Sequence, residues 1–117
     1  MPKPNAVTFK MRIRVFAGDR MLGPGKMELL AHIDAAGSLS ASAKRMGMSY
    51  MRAWKLVQEL NRDPGRPMIE MSRGGTSGST AKVTPFGKKV LVLYQRMERK
   101  STSAALADGL KLARLLK

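Results

Sequence analysis

The chain has 117 residues, 44% of them hydrophobic, which is enough for one domain with a modest core. Lys and Arg number 22 against 8 Asp and Glu, a formal charge of +14, and a polyanionic partner relieves such self-repulsion. With no Cys and a single His, His32, disulfides, thiol catalysis and Cys-ligated zinc are excluded, and a zinc site built on imidazole is not expected.

The first six residues, "MPKPNA", carry two Pro and no pattern, and are read as a loose basic tail. They lack the apolar core of a signal peptide. No apolar run reaches membrane-spanning length. A cytoplasmic protein without membrane contact is expected, and nucleic acid ranks ahead of an anionic membrane surface as the partner. "VTFKMRIRV" then alternates: Val7, Phe9, Met11, Ile13 and Val15 share one face, and Thr8, Lys10, Arg12 and Arg14 the other. Period two predicts a strand with one buried face.

"GDRMLGPG" reads as a turn-rich break. "KMELLAHIDAA" follows as a helix, with Met27, Leu30 and Ile33 at helical spacing and Leu29 and Ala36 widening the stripe. Pro24 suits its first turn and Gly37 its end. His32 is read as a surface or half-buried imidazole rather than a general base, because no carboxylate–nucleophile constellation accompanies it.

The stretch "AGSLSASAKRMGMSYMRAWKLVQELN" predicts a short helix, a tight turn at Gly47 and a longer helix. Ser38 and Ser40 are both cap types, with Ser40 preferred. Ser49 caps the second helix, whose core stripe is Ala53, Leu56, Val57 and Leu60, and Met48 points inward. Ala43, four residues before Gly47, sits where the helices cross. This is the helix-turn-helix pattern, whose second helix reads a major groove. Met51, Arg52 and Lys55 lie near the N-terminus of that helix, with Lys44 and Arg45 just upstream and Glu59 at the far end. That order opposes the helix dipole, and a phosphate partner would remove the cost. Trp54 is read as a packing residue in preference to a base-stacking one. The Tyr50 ring can cover the apolar seam while its hydroxyl reaches a phosphate.

After the turn "NRDPGRP", "MIEMSR" and "AKVTP" are short strands around "GGTSGST". The loop has neither the spacing nor the following helix of a phosphate-cradling nucleotide site. It reads as a wing, with Arg73 and Lys82 flanking it. Thr84 and Pro85 open a helix with the stripe Phe86, Val90, Leu93, Tyr94 and Met97. "STS" at Ser101–Ser103 is expected to interrupt it. A last helix then places Leu106, Leu110, Ala113 and Leu116 on one face. These terminal apolar faces either fold back on their own domain or, the preferred reading, pair two chains as a homodimer.

The blocks "GPG", "AAGSLSASAK", "GMSYMRAW", "SRGGTSG" and "TPFG" resemble the N-terminal DNA-binding domain of the molybdate-responsive (ModE-type) transcriptional regulators over about residues 8 to 99. The helix-turn-helix block is more loosely similar to LysR-type regulators. The resemblance implies a winged helix-turn-helix that dimerises on operator DNA, with Ser49 to Lys55 on the recognition helix and Arg73 to Lys82 on the wing. Only Thr102 to Lys117 lies beyond the match, and no residues suited to an oxyanion are identified there, so molybdate binding does not carry over.

The expected fold is therefore mainly α with a small antiparallel β-sheet: a tail at 1–6, a winged helix-turn-helix at 7–100 and a C-terminal helical, dimerising extension at 101–117. The expected function is sequence-specific binding of double-stranded DNA by a transcriptional regulator without a molybdate-sensing region or cofactor. The alternatives are a sequence-neutral nucleoid protein and a winged-helix adaptor for proteins. An enzyme is not expected. Ser49, Tyr50, Met51, Arg52 and Lys55 are the candidate base readers. Lys44, Arg45, Arg73, Gly74, Gly75, Thr76, Ser77 and Lys82 are candidates for phosphate and wing contacts, together with Lys10 and Arg12.

Overall fold

Leu29, Leu30 and Ile33 are each 0% exposed, and they place helix α1 (Pro24–Ala36) at the centre of the core. The computed structural model of the chain describes residues 8–74 and 78–117, without the side chains of residues 73–79. The tail at 1–6, Val7 and the loop residues Gly75, Thr76 and Ser77 lie outside the described residues. A two-stranded hairpin, β1 (Val15–Ala17) and β2 (Arg20–Leu22), precedes α1. Helices α2 (Leu39–Arg45) and α3 (Tyr50–Leu60) follow it. The second hairpin is β3 (Ile69–Gly74) and β4 (Gly78–Val83), antiparallel, with Ile69 opposite Val83 and Gly74 opposite Gly78. Helices α4 (Pro85–Ala104) and α5 (Leu106–Leu116) complete the order. This is a winged helix with a helical extension.

The core forms because each element offers one apolar side. Met27, Leu39, Ala43, Ala53, Val57, Leu60, Ile69, Val83 and Leu91 join the α1 residues in one cluster. Each fully buried Leu, Ile or Val contributes about 1.5–3 kcal/mol. Ala43 is 2% exposed, as the crossing of α2 and α3 requires. Gly47 adopts φ 64°, and its turn places Met48 N–H on the Ala43 carbonyl at 3.0 Å. Trp54, Leu56 and Met48 pack against the cluster from its edge.

Several local expectations fail, each for a physical reason. Of the strand predicted from Val7 to Val15, the described residues from Thr8 onward enter a ladder only at Val15. Its alternation persists in burial: Phe9, Met11 and Ile13 are half-buried, and Thr8, Lys10, Arg12 and Arg14 are exposed. Side chains supply its partners instead of a neighbouring strand. Met11 N–H donates to Thr102 Oγ1 at 3.0 Å, and the Tyr94 hydroxyl donates to the Ile13 carbonyl at 2.5 Å. The expected break at "GDRMLGPG" contains β2, because Gly18 and Asp19 make a two-residue hairpin turn. The α2 cap is Ser38 and not Ser40: the Ser38 hydroxyl accepts from Ala41 N–H at 3.1 Å. Ala36 is exposed and does not widen the α1 stripe.

The "STS" interruption is absent. Helix α4 runs through it to Ala104, with the Ser101 hydroxyl turned back onto the Met97 and Glu98 carbonyls at 2.8 and 3.0 Å, a bond compatible with helical backbone. The division between residues 100 and 101 therefore falls inside a helix. On α4, Tyr94 is buried and Phe86 and Val90 pack against the core, but Leu93 and Met97 face solvent, and Leu91 takes the buried place. On α5, Gly109 is buried against the Phe9 ring, Leu110 and Ala113 are half-buried, and Leu106 and Leu116 are exposed. The terminal apolar stripe thus divides between an inner and an outer side.

"TPFG" is a structural joint between the wing and α4. The Thr84 hydroxyl accepts from Gly87 N–H at 3.0 Å and donates to the Pro67 carbonyl at 2.7 Å, while Thr84 N–H reaches the Met68 carbonyl at 2.9 Å. A Cβ at Gly87 would overlap the Met68 carbonyl oxygen and press on Val83. Gly87→Ala is therefore expected to destabilise the fold by about 1–3 kcal/mol. A denaturant midpoint equal to wild type would contradict this packing.

Candidate nucleic-acid interface

Helix α3 begins with Ser49 as its N-cap. The Ser49 hydroxyl accepts from Arg52 N–H at 3.1 Å, so the first turn is fixed before any partner arrives. Ala53, Val57 and Leu60 turn inward. The 3.6-residue repeat then sends Met51, Arg52, Lys55, Gln58 and Glu59 outward, and all five are exposed. Met51 is 63% exposed, a large apolar side chain left in water at the helix entrance. Tyr50 is exposed beside it, whereas Trp54 packs against the core.

The two ends of α3 differ sharply. Its C-terminal end is gripped from several sides. Lys26 Nζ lies 3.2 Å from Glu59 Oε2 and donates to the Met21 carbonyl at 3.1 Å. The Arg20 guanidinium donates to the Glu59 carbonyl at 3.2 Å, a cation on a helix C-terminus. Arg62 pairs with Asp19 at 2.7 Å, closing the β1–β2 turn onto the chain after α3. That bond and the Arg62 charge hold the exposed Asp19 carboxyl below its ordinary range. Among the described residues, the N-terminal half of α3 has no such ties. Among the described residues, neither Arg52 nor Lys55 forms an ion pair. Glu59, one turn from Lys55, is drawn to Lys26 instead. Lys44 and Arg45 are exposed in the last turn of α2, where the dipole favours cations.

The wing is tied to α3 by Asn61. Its side-chain oxygen accepts from Met68 N–H at 2.8 Å and Ile69 N–H at 3.0 Å, and its amide donates to the Ile69 carbonyl at 2.7 Å. The end of α3 and the start of β3 are therefore tied together by three bonds from one side chain. Ala81 N–H donates to the Gly37 carbonyl at 3.0 Å and fixes the outer edge of β4 on the end of α1. Arg66 lies over the Phe86 ring at 4.4 Å and braces the loop before β3. On the wing, Lys82 is exposed and stands opposite Glu70. Arg73 and Gly74 contribute backbone to β3; the Arg73 side chain is outside the described set.

Not every predicted residue joins this surface. Lys10 and Arg12 lie at a cleft of about 590 Å³ with Gln95, Glu98 and Arg99 of α4, and Arg12 is paired with Glu28. They belong to the α4 side of the molecule. Residues that sequence reasoning missed include Asn61, Arg20 and Gln58. Gln58 was legible from the repeat, one turn beyond Lys55. Asn61 and Arg20 were not, because their partners are distant backbone atoms.

No family model matches the chain. It is 34% identical over 88 residues to the DNA-binding transcriptional dual regulator ModE of Escherichia coli, an alignment covering 75% of this chain and 32% of that protein. It is 40% identical over 81 residues to the molybdenum-pterin-binding protein MopB of Rhodobacter capsulatus, covering 69% of this chain and 30% of that one. The chain is homologous to the ModE-type regulators. It spans about a third of the length of these relatives. Against the Yersinia pestis ModE, at 31% identity, the alignment takes in 94% of this chain, so the kinship with ModE extends through most of the helical extension. A solved structure, full-length CbnR complexed with its target DNA, shares the fold at TM-score 0.53 and 23% identity, over 72% of this chain and 27% of that one.

Asn61→Ala would leave the Met68 and Ile69 amides without their acceptor. A loss of about 1–3 kcal/mol is expected, with faster hydrogen exchange at those two amides. Unchanged exchange there would show that the wing is anchored by other contacts.

Proposed function

We propose that this chain is a sequence-specific DNA-binding module of a transcriptional regulator, acting as a homodimer. The observation that carries this reading is the bare, cationic N-terminal half of α3 on a helix whose other end is clamped. A pre-ordered helix loses little freedom on entering a major groove. Arg52 and Lys55 are the donors for base edges, with guanine the preferred partner of Arg52. Gln58 is placed one turn deeper, where an adenine edge suits it. Met51 offers apolar contact, and Ser49 and Tyr50 sit at the entrance. Lys44 and Arg45, together with the wing residues Arg73, Gly74, Gly75, Thr76, Ser77 and Lys82, are assigned to the backbone on either side. The ModE relative is named as DNA-binding and CbnR is complexed with target DNA, and both support the reading.

The dimer is assigned to the outer apolar side of the extension. Leu93, Met97, Leu112, Leu115 and Leu116 are all exposed, Leu115 at 82%. A second copy covers such leucines by symmetry. No helix among the described residues is long and apolar enough to cross a membrane, and a chain without Cys suits a reducing, cytoplasmic setting. Molybdate sensing does not enter the reading, since the chain matches only about a third of its relatives.

Three outcomes are expected. Selection from random duplexes returns a two-fold symmetric consensus, and Arg52→Ala flattens it while Lys82→Ala weakens all sequences alike. An unchanged ratio of specific to non-specific binding in Arg52→Ala defeats the base-reading assignment. With roughly 6–10 phosphates neutralised, affinity falls about 10³–10⁵-fold between about 50 and 200 mM salt. Leu112→Glu combined with Leu116→Glu yields monomers in sedimentation equilibrium; a dimer that survives both changes is held elsewhere.

A further inference from the structure

The cleft of about 590 Å³ between the N-terminal segment and α4 has the size of a small-molecule site, about 300–1,000 Å³. The segment runs antiparallel to the helices beside it: Ile13 meets Tyr94, Met11 meets Thr102, and Phe9 meets Gly109. The groups lining the cleft are therefore ordered along it. At one end Gln95 and Glu98 of α4 stand with Arg12 and with Glu28 of α1. Arg12 pairs with Glu28, and among the described residues Glu98 has no ion pair. Two carboxylates thus face one guanidinium. Glu98 is half-buried, where an unmatched charge is costly, and its charge helps to raise the Tyr94 pKa. At the other end the balance is reversed. Lys10 stands with the Thr102 and Ser103 hydroxyls, and Arg99 lines the wall between the two ends. Among the described residues neither cation forms an ion pair. Met11 and Leu106 add apolar wall.

The order of charge selects the occupant. An anion alone, such as a phosphate, would meet the carboxylates at the first end. A ligand with an ammonium at one end and a carboxylate at the other satisfies both. Spacing then sets its length. Glu98 and Ser103 are five residues apart on α4, a rise of roughly 7.5 Å. The two charges of a free amino acid are only about 3 Å apart, and each further residue adds about 3.3–3.6 Å. Two or three linked residues therefore span the two ends. The cleft is also distinct from the apolar side of α4. At 3.6 residues per turn, Gln95, Glu98 and Thr102 lie roughly 100–180° around the helix from Leu93 and Met97.

We infer that this cleft binds a short apolar peptide with free ends, its ammonium at Glu98 and its carboxylate at Lys10 and Arg99. The site stands apart from α3 and does not depend on the DNA-binding reading. The test titrates the full isotope-labelled chain with alanyl-leucine and with alanyl-alanyl-leucine and follows the backbone amide signals by NMR. At least one peptide is expected to saturate, with shifts centred on Met11, Glu98 and Thr102. Acetylating its amine or amidating its carboxyl is expected to weaken binding by about tenfold or more, and free leucine binds at least as weakly. E98Q no longer distinguishes the free amine from the acetylated one, and K10Q/R99Q no longer distinguishes the free carboxyl from the amide. K111Q/R114Q, which removes charge from α5 outside the cleft, binds like wild type. The inference is overturned if neither peptide shifts the cleft amides, if the capped peptides or free leucine bind as tightly as the free peptide, or if the shifts fall on α3 or on the outer side of α5. It is also overturned if E98Q and K10Q/R99Q, with amide spectra like wild type elsewhere, still prefer both free ends.

Discussion

Leu29, Leu30 and Ile33 of α1 are shut off from water by the elements packed around that helix, and the placement of every charged surface follows from that closure. A helix can bury only one side. Once Ala53, Val57 and Leu60 are committed to the core, Arg52 and Lys55 must face outward. The same holds for α4, where burial of Gly87, Leu91 and Tyr94 sends Lys89, Arg96 and Lys100 into solvent. Apolar packing thus arranges the cations without any contact being made to them.

The clamp on α3 depends on small pieces that act together. Arg20 on a short hairpin, Lys26 on α1 and Asn61 at the end of α3 hold that helix and the wing in fixed relation. Each bond is modest. Their value lies in order established before binding, since freedom already lost does not oppose association. The acids near α3 serve this clamp: Glu59 is held by Lys26 and Asp19 by Arg62. They are thereby kept from neutralising the cations at the other end.

Tyr94 links the N-terminal segment to the extension. Its hydroxyl donates to the Ile13 carbonyl, and burial with nearby Glu98 raises its pKa above the ordinary tyrosine value. Phe9 against Gly109 and Met11 against Thr102 repeat the connection further along. The segment that looks like a lone strand is the strap that holds α4 and α5 beside the winged helix.

The sequence by itself determined the elements whose information is local. Helical repeat placed α1, α3 and α4; Ser49, Gly47 and Thr84 marked caps and turns; alternation found the wing strands and the inward side of Phe9, Met11 and Ile13. The outward set on α3, Met51, Arg52 and Lys55, was legible because the same repeat that buries one side exposes the other. Only the tertiary structure decided whatever needed a partner distant in the chain. Among the described residues the strap from Thr8 to Arg14 has no adjacent strand, which no pattern within nine residues could reveal. Ser38 displaced Ser40 as a cap, and "STS" stayed helical, through local bonds to Ala41 N–H and to the Met97 and Glu98 carbonyls, where competing local choices differ by only about 1 kcal/mol. Asn61 and Arg20 acquired their roles from carbonyls and amides brought near by folding. Periodicity fixes which side of an element faces inward; it carries no information about what will stand on the other side.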